Sequence, residues 1–180
     1  MKYYSTYGIT NFIICLGYKG KIIKDFFENK NFKRSIAKID KNWNITLVDT
    51  GIKTMTGGRL KQVSNHIKGE NFCFTYGDGL SNINIKKEFK FHLKHGKLAT
   101  ISAVKPPGRF GSLLIKKNTT KVTKFVEKPQ GDNSWINGGF FILNKKVIKR
   151  IRDKKTVWEE NPLKSLSKSN QLMAFKHKGF

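Results

Sequence analysis

The chain has 180 residues, 38% of them hydrophobic and 12% aromatic, which suits one globular domain spanning 1–180. It carries 31 Lys, 5 Arg and 12 acidic residues, a formal charge of +24, with the lysines spread through every segment; this argues against a specific nucleic-acid reader, whose contacts lean on Arg forks and aromatic platforms, and for anionic substrates. No run approaches the roughly 18 apolar residues of a membrane-spanning helix, and the opening MKYYSTYGIT lacks the charged-then-apolar layout of a signal peptide, so the expectation is a cytoplasmic protein with no membrane partner.

NFIICLGY (11–18) is a short apolar run closed by glycines and predicts a buried strand. KIIKDFFEN (21–29) sets Ile22, Ile23, Phe26 and Phe27 at helical spacing. A strand over 43–50, a helix over 57–67 opened by glycines, a strand over 71–78, a helix over 85–96 closed by Gly96 and a strand over 98–105 follow. This alternation predicts an α/β fold with a mostly parallel sheet covered on both faces, its ligands outside the carboxyl ends of the strands. GSLLIKK and KVTKFVEK, flanking NTT, predict an inserted antiparallel hairpin, and WINGGFFIL (135–143) a glycine-bearing strand. TVWEENPLKSLSKS (156–169) predicts a helix with acidic residues in its first turn, and QLMAFKHKGF (171–180) a last strand. Cys15 and Cys73 sit inside apolar runs and read as reduced core thiols.

Phosphate-loop, dinucleotide-loop, nucleophile-elbow and zinc motifs are absent. His92 and His95, three apart among lysines, read as a solvated helix face rather than a metal pair. Asp49 and Asp78 both end predicted strands. Asp78, held between Gly77 and Gly79, suits close approach of a ligand or metal, and equally suits a turn aspartate capping the next helix. TMTGGRLK (54–61) opens a helix with a hydroxyl, bare amides and a guanidinium, which fits either a phosphate or base edge or a plain glycine turn. Glu127 and Lys128 in VEKP could take sugar hydroxyls and a phosphate, or form an exposed ion pair.

In order, CLGYKG, VDTG, TMTGGRLK, FTYGDG, PPGRFG, FVEKP, WINGGFF and WEENPL closely resemble the glucose-1-phosphate cytidylyltransferases, a branch of the sugar-phosphate nucleotidyltransferases. The resemblance implies a Rossmann-like three-layer fold and transfer of a cytidylyl group from CTP to α-D-glucose 1-phosphate, giving CDP-glucose and pyrophosphate. It implies Mg²⁺ on Asp78 and a catalytic pair of Asp78 and Lys128, with Lys128 gripping the sugar phosphate. Thr56, Gly58, Arg59 and Gly77 would contact the nucleotide, and Glu127, Asn137 and Gly138 the sugar. Arg109 would brace its loop, and WEENPL would pack under the pocket. A homo-oligomer and a place in nucleotide-sugar supply for surface polysaccharide also follow from the resemblance.

The family's first strand and glycine-rich G-G-x-G-T-R loop have no counterpart here, nor has a further metal-binding aspartate beyond HKGF. The chain therefore reads as a partial domain, truncated at both ends, with weak or no turnover expected. The alternatives are a related transferase using UTP or dTTP, and a noncatalytic remnant of such an enzyme.

Overall fold

Alternating apolar side chains set the strands, and a computed structural model describes their assembly over residues 1–29, 42–105, 112–126 and 135–179. A short helix α1 (Lys2–Ser5) leads into β1 (Asn11–Leu16), α2 (Gly20–Glu28) and β2 (Asn44–Asp49). Then come α3 (Thr56–Gln62), β3 (Asn71–Thr75), α4 (Ile85–His95) and β4 (Ala99–Val104). The hairpin strands β5 (Ser112–Ile115) and β6 (Val122–Val126) precede β7 (Ile136–Asn144), α5 (Asn161–Lys168) and β8 (Leu172–His177). Boundaries differ from the sequence reading at the ends: β3 stops at Thr75, three residues before Asp78, and α5 starts at Asn161, so Glu159 and Glu160 precede the helix rather than fill its first turn. Pro162 accounts for that start, because a proline is tolerated only where helical amides are unpaired anyway. α1 and a 3-10 stretch over Lys145–Arg150 carry too few residues to leave a periodic signal.

β1 and β2 pair in parallel, with Asn11 opposite Asn44 and Leu16 opposite Asp49. The main sheet has the order β3–β7–β4–β8. β7 runs antiparallel to both neighbours and β4 parallel to β8, so three of the four strands point one way. β3 reaches β4 through α4, a crossover that leaves a strand-wide place between them for β7. Successive residues of β7 serve opposite faces: Phe141 and Leu143 join Leu60, Trp158, Leu163 and Leu166 on one side, whereas Phe140 packs with Tyr4, Ile83 and Ile85 on the other. The hairpin β5–β6 forms a sheet of its own, with Leu113 and Phe125 paired across it and exposed.

On the second face α4 meets β4 through polar groups. Ser102 Oγ donates to Glu88 Oε1 at 2.6 Å, and both residues are buried. Thr100 Oγ1 lies 2.9 Å from His92 Nδ1 and 2.7 Å from His95 Nε2, and His92 Nε2 lies 3.1 Å from Asn71 Oδ1. The solvated histidine face expected from sequence is thereby corrected: His92 is only 2% exposed, because α4 lies flat on β4 and a buried threonine satisfies the ring. Burial pushes the Glu88 carboxyl up to about 7, against the pull of the Ser102 bond, and pushes His92 down to about 4 with help from His95. Cys15 and Cys73 are free thiols; burial raises both, Cys73 to about 12, which fits the inert role read from sequence.

Candidate active site

Past Thr75 the chain turns through Tyr76, Gly77, Asp78 and Gly79, with Gly79 N donating to Tyr76 O at 3.3 Å. Asp78 thus stands in a turn beyond the carboxyl end of β3, exposed to solvent. Among the described residues no hydrogen bond or ion pair of its carboxylate is found, so it caps no helix. Asn84, not Asp78, caps α4, accepting from Lys87 N at 2.9 Å. Among the described residues a Cβ built on Gly77 meets no atom within 4 Å, so none of them demands a glycine there. Asp49 is the ordinary turn aspartate, accepting from Gly51 N at 2.9 Å.

The start of α3 is closed rather than bare. Met55 N donates to Lys154 O at 2.9 Å and Gly58 N to Thr156 O at 3.1 Å. Gly57 and Gly58 are buried, and a Cβ on Gly58 would overlap the Lys154 backbone. The two glycines thus let the strap 154–156 lie directly on the helix, and two amides of the stretch read as a phosphate site, those of Met55 and Gly58, are occupied by carbonyls. Arg59 Nη1 donates to Leu16 O at 2.8 Å and to Thr50 Oγ1 at 2.5 Å, tying the ends of β1 and β2 together. Beside it a cavity of about 710 Å³ opens between Leu16, Gly17, Asp49, Gly51, Lys53 and Lys154; neither Gly77 nor Asp78 lines it.

Four side chains connect across the turn. Thr56 Oγ1 accepts from Trp158 N at 2.9 Å and donates to Glu159 Oε2 at 2.8 Å. Tyr76 OH donates to Glu159 Oε1, and Asn137 Nδ2 donates to the Tyr76 phenol oxygen Oη at 3.5 Å, the long end of the range. Asn137 Oδ1 accepts from Gly139 N at 2.8 Å. Burial and the Glu159 bond raise the Tyr76 phenol, which stays a donor. Thr56 and Asn137 are therefore brought to one place, next in space to the Tyr76–Asp78 turn. Gly138 packs on β4, where a Cβ would lie 3.0 Å from Ser102 O and Val104 Cγ1. Glu127, Lys128 and Arg109 fall outside the described residues. Sequence reasoning placed WEENPL under the pocket and missed Glu159 as a member of this chain of bonds; an acid beside an aromatic, in a protein with 12 acidic residues, was the available signal.

The donor set fits Mg²⁺ of the kind completed by substrate. That ion takes one or two carboxylates and fills its octahedron with water and phosphate oxygens, and Asp78 offers one exposed, unengaged carboxylate at the strand end. No group of three or more His, Cys, Asp or Glu that could form an all-protein cage occurs among the described residues. No helix among them is long and apolar enough to cross a membrane.

The sequence profile described as nucleotidyl transferase matches residues 3–178. The glucose-1-phosphate cytidylyltransferase of Salmonella typhimurium is 48% identical over 194 aligned positions, which cover all of this chain and 75% of that protein. The probable glucose-1-phosphate cytidylyltransferase of Bacillus subtilis is 37% identical, with the same coverage. Among solved structures, HddC from Yersinia pseudotuberculosis complexed with GMP-PN superposes with a TM-score of 0.72 at 27% identity, over 100% of this chain and 75% of that one. Profile, identity and the shared Rossmann-like α/β architecture agree, and the chain belongs to the nucleotidyl transferase family.

Proposed function

We propose that the chain transfers a cytidylyl group from CTP to α-D-glucose 1-phosphate, giving CDP-glucose and pyrophosphate. The observation that carries this reading is the 48% identity, over the whole chain, to a protein named for that activity. A phosphate oxygen of the sugar attacks the α-phosphorus of CTP, the bond to the β-phosphate oxygen breaks, and pyrophosphate leaves. Such a displacement asks the protein for alignment and charge neutralisation rather than a nucleophile, and the described residues offer cations and a carboxylate with no activated Ser or Cys among them. Asp78 would hold Mg²⁺, which supplies charge neutralisation on the triphosphate when bound. The open space above Gly77 would admit the nucleoside against the backbone. Thr56, Gly58 and Arg59 would shape the nucleotide side, Arg59 through the guanidinium hydrogens left over from Leu16 and Thr50. Lys128 would neutralise the sugar phosphate, and Glu127, Asn137 and Gly138 would face the sugar. A cytoplasmic homo-oligomer that supplies nucleotide sugar for surface polysaccharide belongs to the same reading.

Incubating the purified chain with glucose 1-phosphate, Mg²⁺ and CTP, UTP or dTTP, and resolving the products by chromatography, tests it. Binding of CTP and at most slow formation of CDP-glucose, from CTP alone and abolished in Asp78→Asn, are expected. Comparable product from UTP or dTTP overturns the assignment of the base. No product and no CTP binding overturns the enzymatic reading in favour of a noncatalytic relative.

A further inference from the structure

The chain of bonds from Thr56 to Asn137 has a direction, set by Glu159 in its middle and matched by Gly139 N at its Asn137 end. A carboxylate accepts and cannot donate. Because Thr56 Oγ1 and Tyr76 OH both lie against Glu159, each must spend its single hydrogen on that side chain. Tyr76, having donated its proton, meets Asn137 only as an acceptor, so Asn137 must turn Nδ2 toward it. Gly139 N demands the same orientation, since it needs Oδ1. With Oδ1 and one Nδ2 hydrogen engaged, the exposed Asn137 keeps one hydrogen for whatever binds beside it. A carboxylate is an odd choice for a mere strut, because an amide of the same shape would bridge two hydroxyls. What only the carboxylate provides is an unambiguous polarity.

We propose that Glu159 is a positioning residue that fixes the proton direction along Thr56–Glu159–Tyr76, leaves Tyr76 an acceptor and so, together with Gly139 N, holds the Asn137 amide as a donor toward a hydroxyl or ether oxygen of the sugar. The ligand chemistry rests on the reading under "Proposed function"; the polarity rests on the geometry alone. Glu159→Gln keeps the shape and allows the amide nitrogen to donate to Tyr76 or Thr56, which frees the Tyr76 proton to point at Asn137 and sets it against the orientation that Gly139 N holds. Tyr76→Phe cuts the relay on the sugar side while leaving Thr56 bonded to Glu159.

Two measurements on the purified chain separate the claims. In the ligand-free protein, the Asn137 side-chain NH₂ resonances are expected to shift in Glu159→Gln, and to show no such response when the same change is made on a Tyr76→Phe background. Titration calorimetry with Mg²⁺ is then expected to show CDP-glucose binding weakened about tenfold in either single variant and no further in the double, with CTP binding in Tyr76→Phe within about twofold of wild type, the loss of one hydrogen bond to ligand. An Asn137 resonance that ignores Glu159 overturns the positioning role. So does a parallel loss of both ligands together with a lowered melting temperature, the mark of a strut. If Glu159→Gln does not fold, Tyr76→Phe alone carries the CDP-glucose to CTP comparison. Wild-type chain that binds neither ligand while the resonances respond as stated overturns the functional reading and leaves the polarity standing.

Discussion

Replacing Glu88 by Gln should make the protein more stable, and increasingly so as the pH rises from about 4.5 to about 7. Glu88 is 1% exposed, and no cation pairs with it among the described residues: Ser102 donates to it from β4, and Tyr4 from α1 and Cys73 from β3 are the titratable groups that feel its charge. Burial raises its carboxyl from 4.5 to about 7. The native protein therefore keeps a proton that the unfolded chain gives up near its ordinary value, and stability falls wherever the native state binds more protons. The contribution is whole below about pH 4.5, declines through the interval and is gone above about pH 7. At about 1.4 kcal/mol per pH unit the interval is worth about 3 kcal/mol. His92 works in the opposite sense over an overlapping range, so the wild-type profile alone would conceal both. Urea denaturation of wild type and Glu88→Gln at matched pH, with unfolding free energies compared as a difference, isolates the carboxyl. A shift of about 3 kcal/mol toward the variant across the interval is expected, and a difference that stays flat would refute the account of a proton held on a buried, unpaired acid.

His92 supplies the mirror test. Its ring is held neutral, pushed from 6.5 to about 4, so it contributes stability above about pH 6.5 that is lost as the pH falls toward 4. His92→Asn should flatten that acid limb, wild type losing about 3 kcal/mol more than the variant over the interval by the same denaturation assay. Gly58→Ala forces a methyl into the Lys154 backbone and should lower stability by about 1–3 kcal/mol, read from the denaturation midpoint; an unchanged midpoint would mean that the strap over α3 moves away at no cost.

Most of the architecture was legible because period-2 and period-3.6 patterns seldom mimic each other over six or more residues. The β1–α2–β2 and β3–α4–β4 units, the inserted hairpin and the glycine-bearing β7 all stood in the sequence as apolar or periodic runs separated by polar and glycine turns. What was not legible depends on which distant segment covers which. Gly57 and Gly58 look alike whether a phosphate or a backbone lies on them, and only the strap 154–156, about 100 positions further on, decides. His92 among lysines looks solvated until β4 is laid beneath α4. Glu159 reads as the first turn of a helix until Pro162 is seen to start α5 after it, which leaves the acid to reach Thr56 and Tyr76. The Asp78 turn was legible as a place, since FTYGDG ends an apolar strand between glycines.

The position of β7 governs the order in which this chain can be assembled. β3 and β4 are made early and joined by α4, yet neither touches the other, and the strand that bonds to both is synthesised only after the hairpin. Until residue 144 has left the ribosome, the two share no hydrogen bond and Phe72, Phe74 and Ile101 lack the aromatic wall of Phe141. β3 and β4 are therefore joined through β7 in one late step of long sequence separation, a slow kind of event, and β8 adds to the free edge of β4 last. Ribosome-bound chains stalled short of β7 would expose two unzipped strand edges, the surface that chaperones and aggregation both exploit.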